Sequence, residues 1–175
     1  MKSLNNTILI GVVAIVIVGG LVLFTGNKES SETKSAVDLG VKEKINFKEA
    51  VGQKAPDFEL ESIDGTLIKL SDYLGKNVVL FFNEGSMCYP ACWDQMAELG
   101  NDSRFGTDNT VAFSIVTDPK SQWLDIVNKS TNLTKSKIIF DTSRSVSEAY
   151  DVLNLNSSMH PGSLHGHNYY VIYKE

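Results

Sequence analysis

The chain has 175 residues, enough for one domain with attached segments. Hydrophobic residues make up 42% of it and charged residues 21%, proportions that are typical of a protein with a packed core. Its net charge of −5, with no run rich in Lys and Arg, excludes a nucleic-acid partner, because such a partner requires a concentrated basic face.

The N-terminal segment from Ile8 to Phe24 carries no charge and predicts a membrane anchor. As a helix, these roughly 17 residues span about 25 Å, which is just enough to cross the hydrocarbon core of a bilayer. A cleaved signal peptide is the alternative, but no Ala-x-Ala cleavage pattern follows Phe24. We therefore expect residues 1–26 to form a single-pass transmembrane helix in the cell membrane, with the N-terminus in the cytoplasm and the rest of the chain outside it.

Residues 27–50 predict a linker, because their first part is too polar to fold alone. We expect residues 51–175 to form the folded domain. Short apolar or alternating runs predict strands at 58–60, 67–70, 78–82, 111–116, 137–140 and 169–173. Amphipathic spacing predicts helices from Pro90, around 123–127 and over 146–153. This alternation predicts an α/β domain with helices on both faces of a central sheet.

Cys88 and Cys92 are the two cysteines of the chain, and they follow a predicted buried strand at the start of a predicted helix. A thiol at a helix start is close to unpaired backbone N–H groups, which favour the nucleophilic thiolate. Residues four apart on a helix have Cα atoms about 6 Å apart, within the range of a disulfide. We expect Cys88 to attack and Cys92 to resolve, as a reversible dithiol/disulfide couple. A purely structural disulfide and a metal site are the alternatives.

Six segments of the domain match a known type of sequence: Ala55–Leu60, Asp64-Gly65, Leu70–Lys76, Val78–Phe82, Cys92–Met96 and Asp141–Val152. Together they resemble the thioredoxin-like redoxin superfamily, which includes the alkyl hydroperoxide reductase/thiol-specific antioxidant (AhpC/TSA) proteins and membrane-tethered thiol–disulfide oxidoreductases. The resemblance covers about residues 51–175. It implies a thioredoxin-like fold, antioxidant or disulfide-exchanging activity at a redox-active Cys88–Cys92 pair, dithiol or disulfide protein partners outside the cytoplasm, and no required cofactor.

The sequence departs from the superfamily in four respects. Its oxidoreductases have a Cys-x-x-Cys pair and a cis-proline just before the late strand, whereas this chain has Cys-x-x-x-Cys and no proline nearer to Tyr169 than Pro161. Peroxiredoxins have a Thr three residues before the reactive cysteine, where this chain has Gly85 or Tyr89, and an Arg near a late strand that this chain lacks. Thiol peroxidase activity is therefore our third choice of function. The superfamily also continues beyond the strand at 169–173 with another strand and a closing helix, so we expect the C-terminal part of the fold to be missing.

The Cys-x-x-x-Cys spacing, with a His before a late strand, is similar to the Sco family of copper-handling proteins, which are also thioredoxin-fold domains on a membrane anchor. This resemblance implies copper as a cofactor, with Cys88, Cys92 and His167 as ligands. Two thiolates and one imidazole suit copper. His160, His165 and His167 lie within eight positions, although an exposed polar loop also explains each histidine taken singly. We place thiol exchange first and copper handling second.

Overall fold

The structure, a computed structural model, describes residues 43–174. The predicted membrane anchor and most of the predicted linker lie outside these residues. Within the described range, no helix combines the length and the apolar character that crossing a membrane requires.

Six strands of the described residues form one mixed sheet. They are β1 (Glu59–Ser62), β2 (Leu67–Lys69), β3 (Asn77–Phe82), β4 (Thr110–Val116), β5 (Ile138–Phe140) and β6 (Asn168–Ile172). The order is β2-β1-β5-β4-β3-β6, in which β3, β4 and β5 run parallel and the other pairings are antiparallel. The apolar β3 is paired on both sides, which agrees with the continuous hydrophobic run that predicted a buried strand.

Helices cover both faces of the sheet. They are α1 (Ala91–Asn101), α2 (Lys120–Lys129) and α3 (Ser145–Ala149), and short 3-10 turns occupy Phe47–Glu49, Leu70–Tyr73, Gly85–Met87 and Thr131–Leu133. Side chains alternate along β3, so that Leu80 and Phe82 join the apolar cluster that contains α3. Phe81 joins the cluster on the other face, with α1 and α2. The predicted α/β architecture is confirmed.

Helix α3 is shorter than predicted. The apolar spacing over 146–153 predicted a continuous helix, but α3 ends at Ala149. Asp151 has a left-handed backbone (φ 53°), through which a right-handed helix cannot continue. Tyr150 and Val152 are nevertheless fully buried, so the pattern identified core residues correctly and mistook a helix end for a helix.

Residues that end the predicted linker pack on the domain. The backbone N–H of Ile45 donates to the carbonyl oxygen of Ala149 at 2.9 Å, and the ring of Phe47 contacts that of Tyr170 at a centroid distance of 5.8 Å. Both side chains lie against the apolar cluster that contains α3. The described part of the linker is therefore held on the domain surface.

Strand β6 lies at one edge of the sheet and pairs with β3. Its residues alternate in exposure, and Tyr169 and Val171, on the side of the sheet that carries α1 and α2, are about half exposed. Tyr169 stacks on Phe81 of β3 at a ring-centroid distance of 4.7 Å. The expectation that a further strand and helix are missing stays a prediction.

Candidate active site

The carboxyl ends of β3, β4 and β5 lie at the same edge of the sheet, because these strands are parallel. An acidic residue follows each strand within two positions: Glu84, Asp118 and Asp141. After Glu84 the chain turns through the 3-10 segment Gly85–Met87 and then reaches Cys88. The cysteines therefore lie at the edge of the sheet where ligand and active sites of α/β proteins are usually found.

Cys88 and Cys92 form a disulfide at the start of α1, with Cα atoms 5.3 Å apart. Cys88 precedes the helix and is half-buried, whereas Cys92 is 3% exposed and belongs to the apolar cluster under α1 and α2. Pro90, between them, follows a cis peptide bond, and α1 begins one residue later, close to its predicted start. The sulfur that a partner can reach is that of Cys88.

His167 lies beside the cysteine pair. Its Nε2 atom is 3.3 Å from the Sγ atom of Cys88, although the two residues are 79 positions apart in the chain. The possible ligand atoms of Cys88, Cys92 and His167 all lie within 4.8 Å of one another. The structure thus brings together the three residues named for the copper alternative, and their chemical roles stay predictions.

Asp118 holds the turn that carries Cys88. Its carboxylate accepts hydrogen bonds from the Ser86 backbone N–H at 3.0 Å, the Ser86 hydroxyl at 2.7 Å and the Trp123 indole N–H at 2.9 Å. Gly85 has a left-handed backbone (φ 61°), and a Cβ atom there would lie 1.9 Å from Asp118 Oδ2. Trp93 of α1 donates its indole N–H to the Gly85 carbonyl at 3.3 Å. The turn therefore has room for glycine alone at position 85.

Glu84 is a buried carboxylate, 3% exposed, that contacts the histidine loop, which we define as residues 154–167. Its Oε1 atom accepts hydrogen bonds from the Ser158 hydroxyl at 2.9 Å and from the backbone N–H groups of Met159 at 2.6 Å and His160 at 3.1 Å. Burial by itself would raise the pKa of Glu84, but these hydrogen bonds and the nearby His167 hold it below its ordinary value.

A second buried network joins the histidine loop to β3. Asp141 accepts hydrogen bonds from the Ser147 hydroxyl and, at 2.7 Å, from the Ser147 backbone N–H. The Ser147 hydroxyl also contacts Nε2 of His165, and Nδ1 of His165 donates to the Asn83 carbonyl at 3.0 Å. Asp141, Ser147 and His165 are all fully buried, and burial lowers the pKa of His165.

The three histidines are not all at the cysteine pair. His167 contacts Cys88, and His160 lies at the surface with Nδ1 3.5 Å from Glu84. His165 is fully buried in the second network, so the explanation of each histidine as part of an exposed loop is wrong for this one.

Sequence reasoning overlooked Asp118 and Ser147 as residues of this region. A signal for the carboxylates was present, since Glu84, Asp118 and Asp141 each follow one of three apolar strands that were predicted correctly. Nothing in the sequence marks Ser147, because its contact with His165 joins helix α3 to a distant loop.

Comparison with known proteins identifies the family. The family model described as the AhpC/TSA family matches residues 51–175, and the chain belongs to this family. The chain is 33% identical over 108 residues to peroxiredoxin Bcp of Bacillus subtilis (strain 168), covering 62% of this chain and 68% of that protein. It is 30% identical over 135 residues to the chloroplastic 2-Cys peroxiredoxin BAS1 of Spinacia oleracea, covering 72% of this chain and about half (51%) of that protein.

A solved structure agrees on the fold. The crystal structure of peroxidoxin BcpB from Mycobacterium tuberculosis superposes with a TM-score of 0.54 at 24% identity, covering 69% of this chain and 77% of that one. The predicted thioredoxin-like fold is confirmed for the domain. The family also supports the predicted class, an oxidoreductase of the redoxin type.

Proposed function

We propose that this AhpC/TSA family member is a thiol–disulfide oxidoreductase that exchanges electrons with protein disulfides or dithiols through Cys88 and Cys92. The observation that carries the proposal is the unequal exposure of the two sulfurs of one disulfide, with Cys88 accessible and Cys92 buried beneath it. A purely structural disulfide that closes so short a loop would stabilise the fold little by the chain-entropy account. The pair is better suited to chemistry than to structural support.

The exchange uses both sulfurs in turn. In the reducing direction, the Cys88 thiolate attacks one sulfur of a partner disulfide, forms a mixed disulfide and releases the other partner sulfur as a thiolate. The Cys92 thiolate then attacks the Cys88 sulfur, and the partner leaves as a dithiol. Two electrons have moved to the partner, and the Cys88–Cys92 disulfide is the oxidised product. With its proton on Nε2, His167 would donate a hydrogen bond to the Cys88 sulfur, 3.3 Å away, and so favour the thiolate once the disulfide is reduced.

Alkylation of the reduced full-length chain tests this division of roles. With limiting iodoacetamide at neutral pH, we expect Cys88 to be labelled before Cys92, because Cys88 is accessible and precedes a helix. Peptide mass spectrometry identifies the labelled cysteine. Labelling of Cys92 first would contradict the assignment.

Copper binding is the second candidate, favoured by the close approach of Cys88, Cys92 and His167. Once the disulfide is reduced, two thiolates and one imidazole form a donor set that suits copper. We expect the His167→Ala variant to bind Cu(II) much more weakly than the unmodified chain in a competition titration. An unchanged Cu(II) affinity would remove His167 from the ligand set.

Peroxide reduction is the third candidate, favoured by the similarity to peroxiredoxin Bcp of Bacillus subtilis. The structure explains one departure from peroxiredoxins, because Asp118 occupies the space that a threonine side chain at Gly85 would need. A hydroxyl that binds peroxide would therefore have to come from another residue. Peroxide consumption by the reduced chain tests this candidate, and no consumption above the buffer rate would exclude it.

We also propose that residues 1–26 anchor the domain at the outer face of the cell membrane. The support is the uncharged segment from Ile8 to Phe24, followed by a polar linker. Protease added to intact cells stripped of their wall should digest the domain. Protection of the domain until the cells are lysed would place it in the cytoplasm.

A further inference from the structure

We infer that Glu84 is a positioning residue, which fixes the histidine loop so that His167 lies against Cys88. The inference rests on the proposed function, since it takes Cys88 as the reacting sulfur and the contact with His167 as part of the site. Among the described residues, the hydrogen bonds of Glu84 go to the histidine loop and not to Cys88. Glu84 would therefore influence the reactivity of Cys88 indirectly, through the loop.

The first argument is the burial of a charged group. A carboxylate that is 3% exposed loses most of its hydration, and this loss is compensated only when its oxygens accept hydrogen bonds. One oxygen of Glu84 accepts three, all from consecutive residues of the histidine loop, 158–160. Hydrogen bonds to an ionised acceptor are roughly twice as strong as neutral ones. Glu84 therefore ties the chain just after β3 firmly to this loop.

The second argument is that the histidine loop transmits this attachment to His167. Within the loop, the Leu164 backbone N–H donates to the His160 carbonyl at 3.0 Å. A Cβ atom on Gly166 would lie 2.5 Å from the Leu155 Cβ atom and 2.5 Å from the Ser157 hydroxyl oxygen. The start of the loop, at Leu155 and Ser157, thus packs against its end, at Gly166, without spare space. A shift at one end of the loop therefore moves the other end.

The third argument is a second attachment beside the first. The residue before Glu84, Asn83, accepts a hydrogen bond on its carbonyl from the buried His165 ring, two residues before His167. Two consecutive residues after β3 therefore hold the loop at two points. Together, the two attachments place the Nε2 atom of His167 3.3 Å from Cys88 Sγ and 3.9 Å from Glu84 Oε2. The position of His167 depends on both attachments, and Glu84 supplies the one with three hydrogen bonds.

The test is the rate at which iodoacetamide alkylates Cys88 in the reduced full-length chain, in the variants Glu84→Ala, Glu84→Gln and His167→Ala and in the double variant. Loss of the His167 contact removes a hydrogen bond from the attacking sulfur, so we expect Glu84→Ala to slow alkylation about tenfold, the effect of losing one hydrogen bond to a charged group. Glu84→Gln should keep most of the rate, because its amide oxygen can accept the same hydrogen bonds. Glu98→Ala, which removes an exposed carboxylate from α1, is the matched control and should have no effect.

The double variant distinguishes positioning from a general loss of structure. If Glu84 acts through His167, adding Glu84→Ala to His167→Ala should slow alkylation no further. Three results would each overturn the inference. The first is a further slowing in the double variant equal to that of Glu84→Ala alone, the second is an unchanged rate in Glu84→Ala, and the third is a slowing in Glu84→Gln as large as in Glu84→Ala. If Glu84→Ala does not fold, Ser158→Ala removes one of the three hydrogen bonds, and its expected slowing of about threefold must likewise vanish without His167. Failure of the proposed function would be recognised by a different result, because Cys88 would then not be labelled first in the unmodified chain.

Discussion

Two segments meet at Cys88, and they are held in place differently. The cysteine segment, residues 83–92, follows a central strand, begins a helix and is fixed by the carboxylate of Asp118 on the neighbouring strand end. The histidine loop contains no helix or strand, and it is fixed by buried polar contacts to Glu84 and Asn83. A strand end and a helix start thus place the Cys88 sulfur, and contact with one distant residue, Asp118, holds the turn between them. The side chain beside that sulfur is placed by contacts between distant residues alone.

The largest expected effect tests the cysteine segment. Cys88→Ser should lower the reduction of a protein disulfide at least about a hundredfold, because it removes the nucleophile. Cys92→Ser should still form the mixed disulfide and then stop, because the resolving sulfur is lost. Mass spectrometry of the trapped adduct measures this difference. Accumulation of the adduct in Cys88→Ser instead would reverse the two roles and with them the contrast between an accessible and a buried sulfur.

The difference between the two segments also explains what the sequence could predict. The strands, the helix after Pro90 and the place of Cys88 at its start followed from periodicity and from helix-end chemistry, which are local properties. The position of His167 beside Cys88 was reached by resemblance alone. The burial of His165 was missed, because its partners Ser147 and Asn83 are 18 and 82 positions away in the chain. No periodic pattern carries information about such contacts.

An intermediate effect is expected at the turn before Cys88. Gly85→Ala should lower the free energy of unfolding by about 2–4 kcal/mol, since the new Cβ atom collides with Asp118 in a left-handed backbone. Gly75→Ala is the matched control, because Gly75 is also left-handed but has no atom within 4 Å of the added Cβ. Its cost should be about 1 kcal/mol. Equal losses in the two variants, measured by chemical denaturation, would mean that Asp118 does not constrain the turn.

The smallest of these effects concerns the histidine loop and depends on pH. The folded state lowers the pKa of Glu84 below its ordinary value of 4.5, so ionised Glu84 stabilises the fold above that pH. This contribution is lost as the pH falls through the lower, folded-state pKa. We therefore expect the difference in unfolding free energy between the unmodified chain and Glu84→Gln to be largest near neutrality and to shrink below about pH 4. A difference independent of pH would indicate that the charge of Glu84 does not stabilise the fold.

The most direct test of the central claim is the redox equilibrium of the Cys88–Cys92 pair. The full-length chain is equilibrated in glutathione buffers and, at lower potentials, dithiothreitol buffers, then alkylated, and its oxidised fraction is measured by mass spectrometry, with Cys88→Ser and Cys92→Ser as controls. A working dithiol/disulfide couple predicts one reversible two-electron transition to the Cys88–Cys92 disulfide within the range of known oxidoreductases, about −120 to −270 mV. Neither variant can form this intramolecular disulfide, and its remaining cysteine can form only a mixed disulfide with glutathione, which has a different mass. A disulfide that stays intact below about −300 mV would instead be structural and would contradict the proposed function.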